Sequence, residues 1–176
     1  MASVRPCLPI IVALAASAAS LERLSMDDMV QKSTDIVRVR VVNSSASFRG
    51  RTIYTHYTVQ IEERWKGNAT SQMDVAVPGG TVLNVRQTFP GAPGLNQGSE
   101  YVLFLWTSRS GLTQIIGLSQ GLMNLNVDAS GQTVLWRGAA TEPMVDGSGN
   151  PVTDGRFSTS LAAFRSTLRG YGLVGK

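Results

Sequence analysis

The segment IYTHYTVQIEERWKG, residues 53–67, gathers groups able to move a proton: the only histidine of the chain, His56, and the adjacent carboxylates Glu62 and Glu63. An imidazole works as a base or a nucleophile's partner only with an acid or a hydroxyl in hydrogen-bond reach. The segment alternates. Ile53, Thr55, Tyr57, Val59 and Ile61 share one face, and Tyr54, His56, Thr58, Gln60 and Glu62 share the other. That period is the signature of a half-buried strand with one polar face. Along such a strand Glu62 stands about 20 Å from His56, so the two form no dyad. Thr58 and Tyr54 are the near same-face neighbours, and neither is a typical partner for a lone imidazole. His56 is therefore expected to face solvent, with only a neighbouring strand left to supply a partner.

Other chemistries fare no better. No Gly-x-Ser-x-Gly elbow is present, so a hydrolase is the least favoured function. Asp146, Ser148 and Asn150 imitate the first, third and fifth positions of a calcium loop, but Pro151 replaces the required glycine and Phe157 the bidentate glutamate. A hairpin turn explains them equally well. Asp27 and Asp28 follow Ser25 as the first turn of a capped helix. The Gly- and Pro-rich stretch 90–100 lacks the Gly-Lys-Ser/Thr of a phosphate loop. No catalytic residue, cofactor or metal ligand is expected.

The elements that would position a site are mostly strands. DIVRVRVV alternates Val37, Val39 and Val41 with Arg38 and Arg40. QMDVAVPGG reads as a strand ending in a turn at Pro78-Gly79, and TVLNVRQTF as a continuing edge strand. YVLFLW is apolar on both faces, as a central strand requires. In TQIIGLSQGLMNLNVD, Gly117 and Gly121 predict a bulge or bend, with Met123, Leu125 and Val127 turned inward. DASGQ predicts a hairpin turn. A short helix SMDDMVQKS opens the body, and an amphipathic helix with Leu161, Phe164 and Leu168 on one stripe closes it. The expected fold is mainly β: a small OB-like curled barrel of five to six strands between these two helices, one domain over residues 19–176.

The N-terminus places Arg5 before an apolar run from Leu8 to Ala16, then the small residues Ala16-Ser17-Ala18. This order predicts a signal peptide over residues 1–18. The run is too short to span a bilayer. The protein is thus expected to be exported, to the periplasm, the cell surface or the medium, without stable membrane insertion after cleavage. Cleavage would remove Cys7, the sole cysteine, and with it any thiolate site. The formal net charge is +4, and the arginines are scattered rather than gathered in a run, which argues against nucleic acid.

LSMDDMVQKSTDIVRVRV, YTVQIEERWKG, VAVPGG, GSEYVLFLW and GLSQG together resemble a group of uncharacterised exported bacterial proteins similar to the OB-barrel domain of netrin modules and tissue inhibitors of metalloproteinases. The resemblance covers about residues 25–128. It implies a non-enzymatic module. The inhibitors act through an N-terminal cysteine that chelates the protease zinc. A mature chain starting near Ala19 has none, so no functional residue is carried over. The expected function is an exported binding module for a protein or glycan partner. Its candidate surfaces are the polar strand face at Tyr54 and His56, and the 84–98 loop with Arg86 and Phe89. Trp65, Trp106 and Trp136 are the residues a glycan would stack on, though packing is their commoner role.

Overall fold

The computed structural model describes residues 20–68 and 70–175. The signal-peptide segment and Cys7 lie outside them. The described chain runs β1 (Leu21–Glu22), α1 (Met26–Lys32), β2 (Asp35–Arg49), β3 (Thr52–Lys66), β4 (Gln72–Pro78), β5 (Gly80–Val82), β6 (Val85–Gln87), β7 (Glu100–Thr107), β8 (Thr113–Ile115), a 3-10 turn (Leu118–Gly121), β9 (Leu122–Val127), β10 (Thr133–Arg137), β11 (Met144–Val145), β12 (Pro151–Val152), β13 (Phe157–Ser160) and α2 (Leu161–Gly170).

The main sheet has the order β13-β10-β9-β7-β2-β3-β4, with β8 also paired to β7. All its pairings are antiparallel. β7 is the hub. One edge pairs with β2, and the other pairs with β9 at Tyr101–Leu103 and with β8 at Leu105–Thr107. The change from β8 to β9 occurs at the glycines that predicted a bend. Gly117 and Leu118 have φ of 60° and 55°, and a Cβ on Gly121 would meet the Ile116 carbonyl at 2.7 Å. In the same turn Gln120 is fully buried. Its Oε1 accepts from Leu24 N at 2.8 Å and its Nε2 donates to Glu22 O at 2.9 Å.

The fold is mainly β, as expected, but in place of five to six strands the main sheet has eight and does not close, and two small sheets lie beside it. β4 and β8 approach each other without a hydrogen-bonded ladder. The extra strands are mostly two or three residues long, too short to show a period. TVLNVRQTF is a second correction. It is a hairpin, β5–β6, whose turn residues Leu83 and Asn84 both have positive φ, 46° and 65°. That geometry suits the twist of a tight hairpin, but it costs leucine on the order of 1 kcal/mol. Val127 is a third: it is 69% exposed rather than inward.

Both faces of the sheet carry a core. The curled face buries Val37, Val39, Val41, Val59, Val75, Val77, Leu103 and Leu105. The opposite face buries Ile36, Val102, Phe104, Met123 and Leu135 under the two helices. Helix α1 starts where Ser25 Oγ accepts from Asp28 N at 3.1 Å and the Asp28 carboxylate accepts from Ser25 N at 3.0 Å. Helix α2 starts at Ser160, whose Oγ accepts from Ala163 N at 3.1 Å. It buries Leu161, Phe164 and Leu168, as their spacing predicts. Phe164 stands edge-on to Trp65 at 5.4 Å and to Phe104 at 6.1 Å.

Candidate functional site

Strand β3 decides where each candidate goes. Its alternation holds from Ile53 to Ile61, so Ile53, Thr55, Tyr57 and Val59 enter the curled face while Tyr54, His56 and Thr58 point the other way. The four candidates therefore form two groups. Tyr54 and His56 lie on the outer face of the β2–β3–β4 layer. Arg86 and Phe89 lie at the end of the curled face.

The outer group corrects the sequence expectation. His56 is not an unpartnered solvent-facing ring. Its side chain is 26% exposed, and Nδ1 is 2.7 Å from Oδ2 of Asp74 on β4. A carboxylate accepts only, so the proton between them rests on Nδ1. Asp74 pairs across the strands with Thr58, placing it diagonal to His56. Ser45 of β2 is the direct register partner of His56 on the other side. A hydroxyl, an imidazole and a carboxylate thus line up across three strands. No hydrogen bond joins Ser45 to His56, and Ser45 is exposed. The sequence hid Asp74 because strand partners are set by the β3–β4 register, not by spacing along one strand.

The inner group lines a groove of about 320 Å³. Its floor includes Thr55, Tyr57 and Val77, and its rim includes Arg86, Phe89, Ala92, Pro93 and Gly94. Two glycines build it. A Cβ on Gly80 would sit 2.7 Å from Thr55 Oγ1, and Gly79 has φ of 108°. These glycines let β5–β6 cross close over the β2–β3 hairpin. Gln87 then fixes the crossing: its Oε1 accepts from Ile53 N at 2.7 Å and its Nε2 donates to Arg51 O at 2.9 Å. The far half of the 84–98 loop is anchored as well. Leu95 is buried, Asn96 N donates to the Tyr101 hydroxyl at 3.0 Å, and Gln97 Nε2 donates to Val42 O at 2.7 Å. Arg86 and Phe89 stay exposed, and no carboxylate of the described residues pairs with Arg86. Sequence reasoning missed Thr55 and Tyr57 as groove residues, because an inward side chain at the end of a curl reads like core.

Between the helix-covered end of the outer face and the His56 end lies a charge cluster. Arg38 Nη2 meets Glu100 at 2.5 Å, Arg40 meets the other oxygen of Glu100, and Arg40 Nε is 3.5 Å from Glu62. Under the helices, the Asp154 side chain is 3% exposed and chelates the Arg137 guanidinium, with Ala140 N donating to it at 2.8 Å. Burial pushes the Asp154 carboxyl up, but the Arg137 and Ala140 hydrogen bonds outweigh it and hold the group below its ordinary value.

The tryptophans divide. Trp65 is buried, while Trp106 and Trp136 are 45% and 41% exposed. Trp136 pairs through Asn124 to Tyr101, and so shares the curled face, whereas Trp106 alternates to the other face. The two exposed indoles cannot sandwich one sugar. Among the described residues no group of three His, Cys, Asp or Glu side chains is placed to hold a metal, and no helix is long and apolar enough to cross a membrane.

No family model, curated protein or solved structure matches this chain.

Proposed function

We propose that this protein is an exported binding module without catalysis, and that a partner seats in the groove between β5–β6 and the 88–94 loop. The supporting observation is the groove itself. A guanidinium without a carboxylate, a half-exposed phenyl ring and two hydroxyls, Thr55 and Thr88, converge on one recess held by a pinned hairpin. Recesses that combine apolar surface with placed polar groups are where ligands bind. The curl of β2, β3, β4, β7 and β8 supports an OB-like reading of this part of the sheet, in line with the resemblance over residues 25–128. Residues 1–18 support export.

The test uses Gly94→Trp. Gly94 lines the rim, its φ is not in the left-handed region, and a Cβ there meets nothing within 4 Å. The indole should occlude the groove and leave the fold intact. Partner capture from envelope extracts should disappear in Gly94→Trp and fall in Arg86→Ala. Equal capture by all three proteins removes the groove from consideration.

A hydrolase is the second reading, favoured by one observation, the 2.7 Å His56–Asp74 contact with Ser45 across the ladder. It lacks a hydrogen bond to the serine. A panel of ester and amide substrates decides: turnover abolished by both His56→Ala and Ser45→Ala would establish it, and no turnover would dismiss it. Glycan binding through paired tryptophans is the weakest reading, since the exposed pair lies on opposite faces.

A further inference from the structure

We infer that the end of the molecule carrying the β2–β3 and β5–β6 hairpin tips docks on an anionic lipid surface. This goes beyond the groove reading and rests chiefly on other residues. The β2–β3 turn, the β7–β8 turn and the open end of the β5–β6 hairpin meet here. Gln87 ties β6 to the β2–β3 turn at Arg51, and Arg49 Nη2 reaches the Ser110 carbonyl of the β7–β8 turn at 3.4 Å. Arg49, Arg51, Arg86 and Arg109 thus collect at one pole, and none of them has a carboxylate partner among the described residues. The sequence supplies almost no acid to this pole. Residues 36–61, 75–99 and 101–127 contain no Asp or Glu. Of the carboxylates on neighbouring elements, Asp74 is held by His56, and Glu142 lies against Gly91 of the loop.

The same hairpins, and the residues just after β6, carry apolar side chains in water. Leu83 is 89% exposed, Val85 48%, Phe48 47% and Phe89 40%. Leu83 occupies a left-handed turn position that asparagine or glycine fills with less strain, yet projects an isobutyl group into solvent. Neither stability of the turn nor packing explains it. Exposed apolar tips ringed by arginines match the two-part chemistry of a membrane surface, where hydrocarbon enters the acyl boundary and cations meet anionic headgroups. A soluble polyanion would be served by the arginines alone and leaves Leu83 and Phe48 without a role.

The experiment is co-sedimentation of the full chain with vesicles of phosphatidylcholine, with and without phosphatidylglycerol. Residues 1–19 are common to every variant, so their contribution cancels in the comparison of each variant with wild type, which is the deciding readout. Wild type should bind the anionic vesicles, and binding should weaken as ionic strength rises from about 0.1 M to about 1 M. Leu83→Asn suits the turn, so its melting temperature should hold or rise, while its vesicle affinity should fall about tenfold. Arg49→Ser with Arg51→Ser should lower affinity about fivefold per arginine. Three results overturn the inference: no binding of wild type to anionic vesicles, equal binding by Leu83→Asn, or a concentration-dependent dimer that Leu83→Asn abolishes. Binding to polyphosphate that Leu83→Asn leaves unchanged, without vesicle binding, assigns the pole to a soluble polyanion instead. Gly94→Trp should keep vesicle binding, so failure of the groove reading and failure of this one give different results.

Discussion

The two ends of strand β3 lie on either side of a register shift at Glu62, and they treat their outward side chains in opposite ways. At the Trp65 end the outward side chains meet a second layer. Trp65 packs against Phe164 of α2, and Glu63 is bridged by Arg165 at 2.6 Å. At the His56 end no helix of the described residues arrives, and the outward residues settle their polarity among themselves through Asp74. The first end is held by burial and should punish any change. The second is held by a half-exposed polar pair, which contributes little to stability and remains available for contact. Polar residues on a sheet face therefore do not by themselves mark a site; what matters is whether anything covers them.

The sharpest way to break this contrast is Phe164→Ala. It removes the ring on which Trp65 and Phe104 both pack, so a loss of about 3–5 kcal/mol is expected by urea unfolding. A loss as small as that of a surface mutant would mean α2 is not needed to cover the sheet. Next comes Gln120→Ala, which leaves Leu24 N and Glu22 O without partners. About 1–3 kcal/mol should be lost. Deuterium exchange should rise first at residues 21–24, and uniform exchange would contradict the local clamp.

Asp154 adds a pH axis to the covered end. Its folded-state value is held below the ordinary 3.8. The stabilisation it provides is complete above that unfolded value and is lost as pH falls through the lower folded value. Asp154→Asn should therefore melt well below wild type at pH 7, and the gap should shrink toward pH 2. A gap constant across pH would argue that the carboxylate's charge is not involved. The smallest effect is expected at the bare end. His56→Ala should cost less than about 1 kcal/mol. A cost of several kcal/mol there would erase the distinction between the two ends of β3.

Much of this contrast can be read from the sequence, and the unreadable part has a definite physical origin. The stripe Leu161, Phe164 and Leu168 announces α2 because a helix records its buried face locally. The face of His56 was equally legible, since alternation fixes it. Its partner was not. Asp74 reaches His56 only through the β3–β4 register, and nothing in QMDVAVPGG states that register. The split of Tyr54 and His56 from Arg86 and Phe89 has the same cause: Phe89 is placed by Gly79 and Gly80, whose left-handed backbone turns the chain across β2–β3. The β5–β6 turn was hidden for the opposite reason. Leucine is a poor residue for it, so the local signal pointed away from the structure that forms.

The Gln120 clamp also sets an order of events. In a chain that emerges N-terminus first, Glu22 and Leu24 are synthesised 98 and 96 residues ahead of the amide that holds them. β1 waits longer still, for Met144 and Val145, against which it lies parallel. The first described strand therefore cannot complete its pairings until Val145 has been delivered.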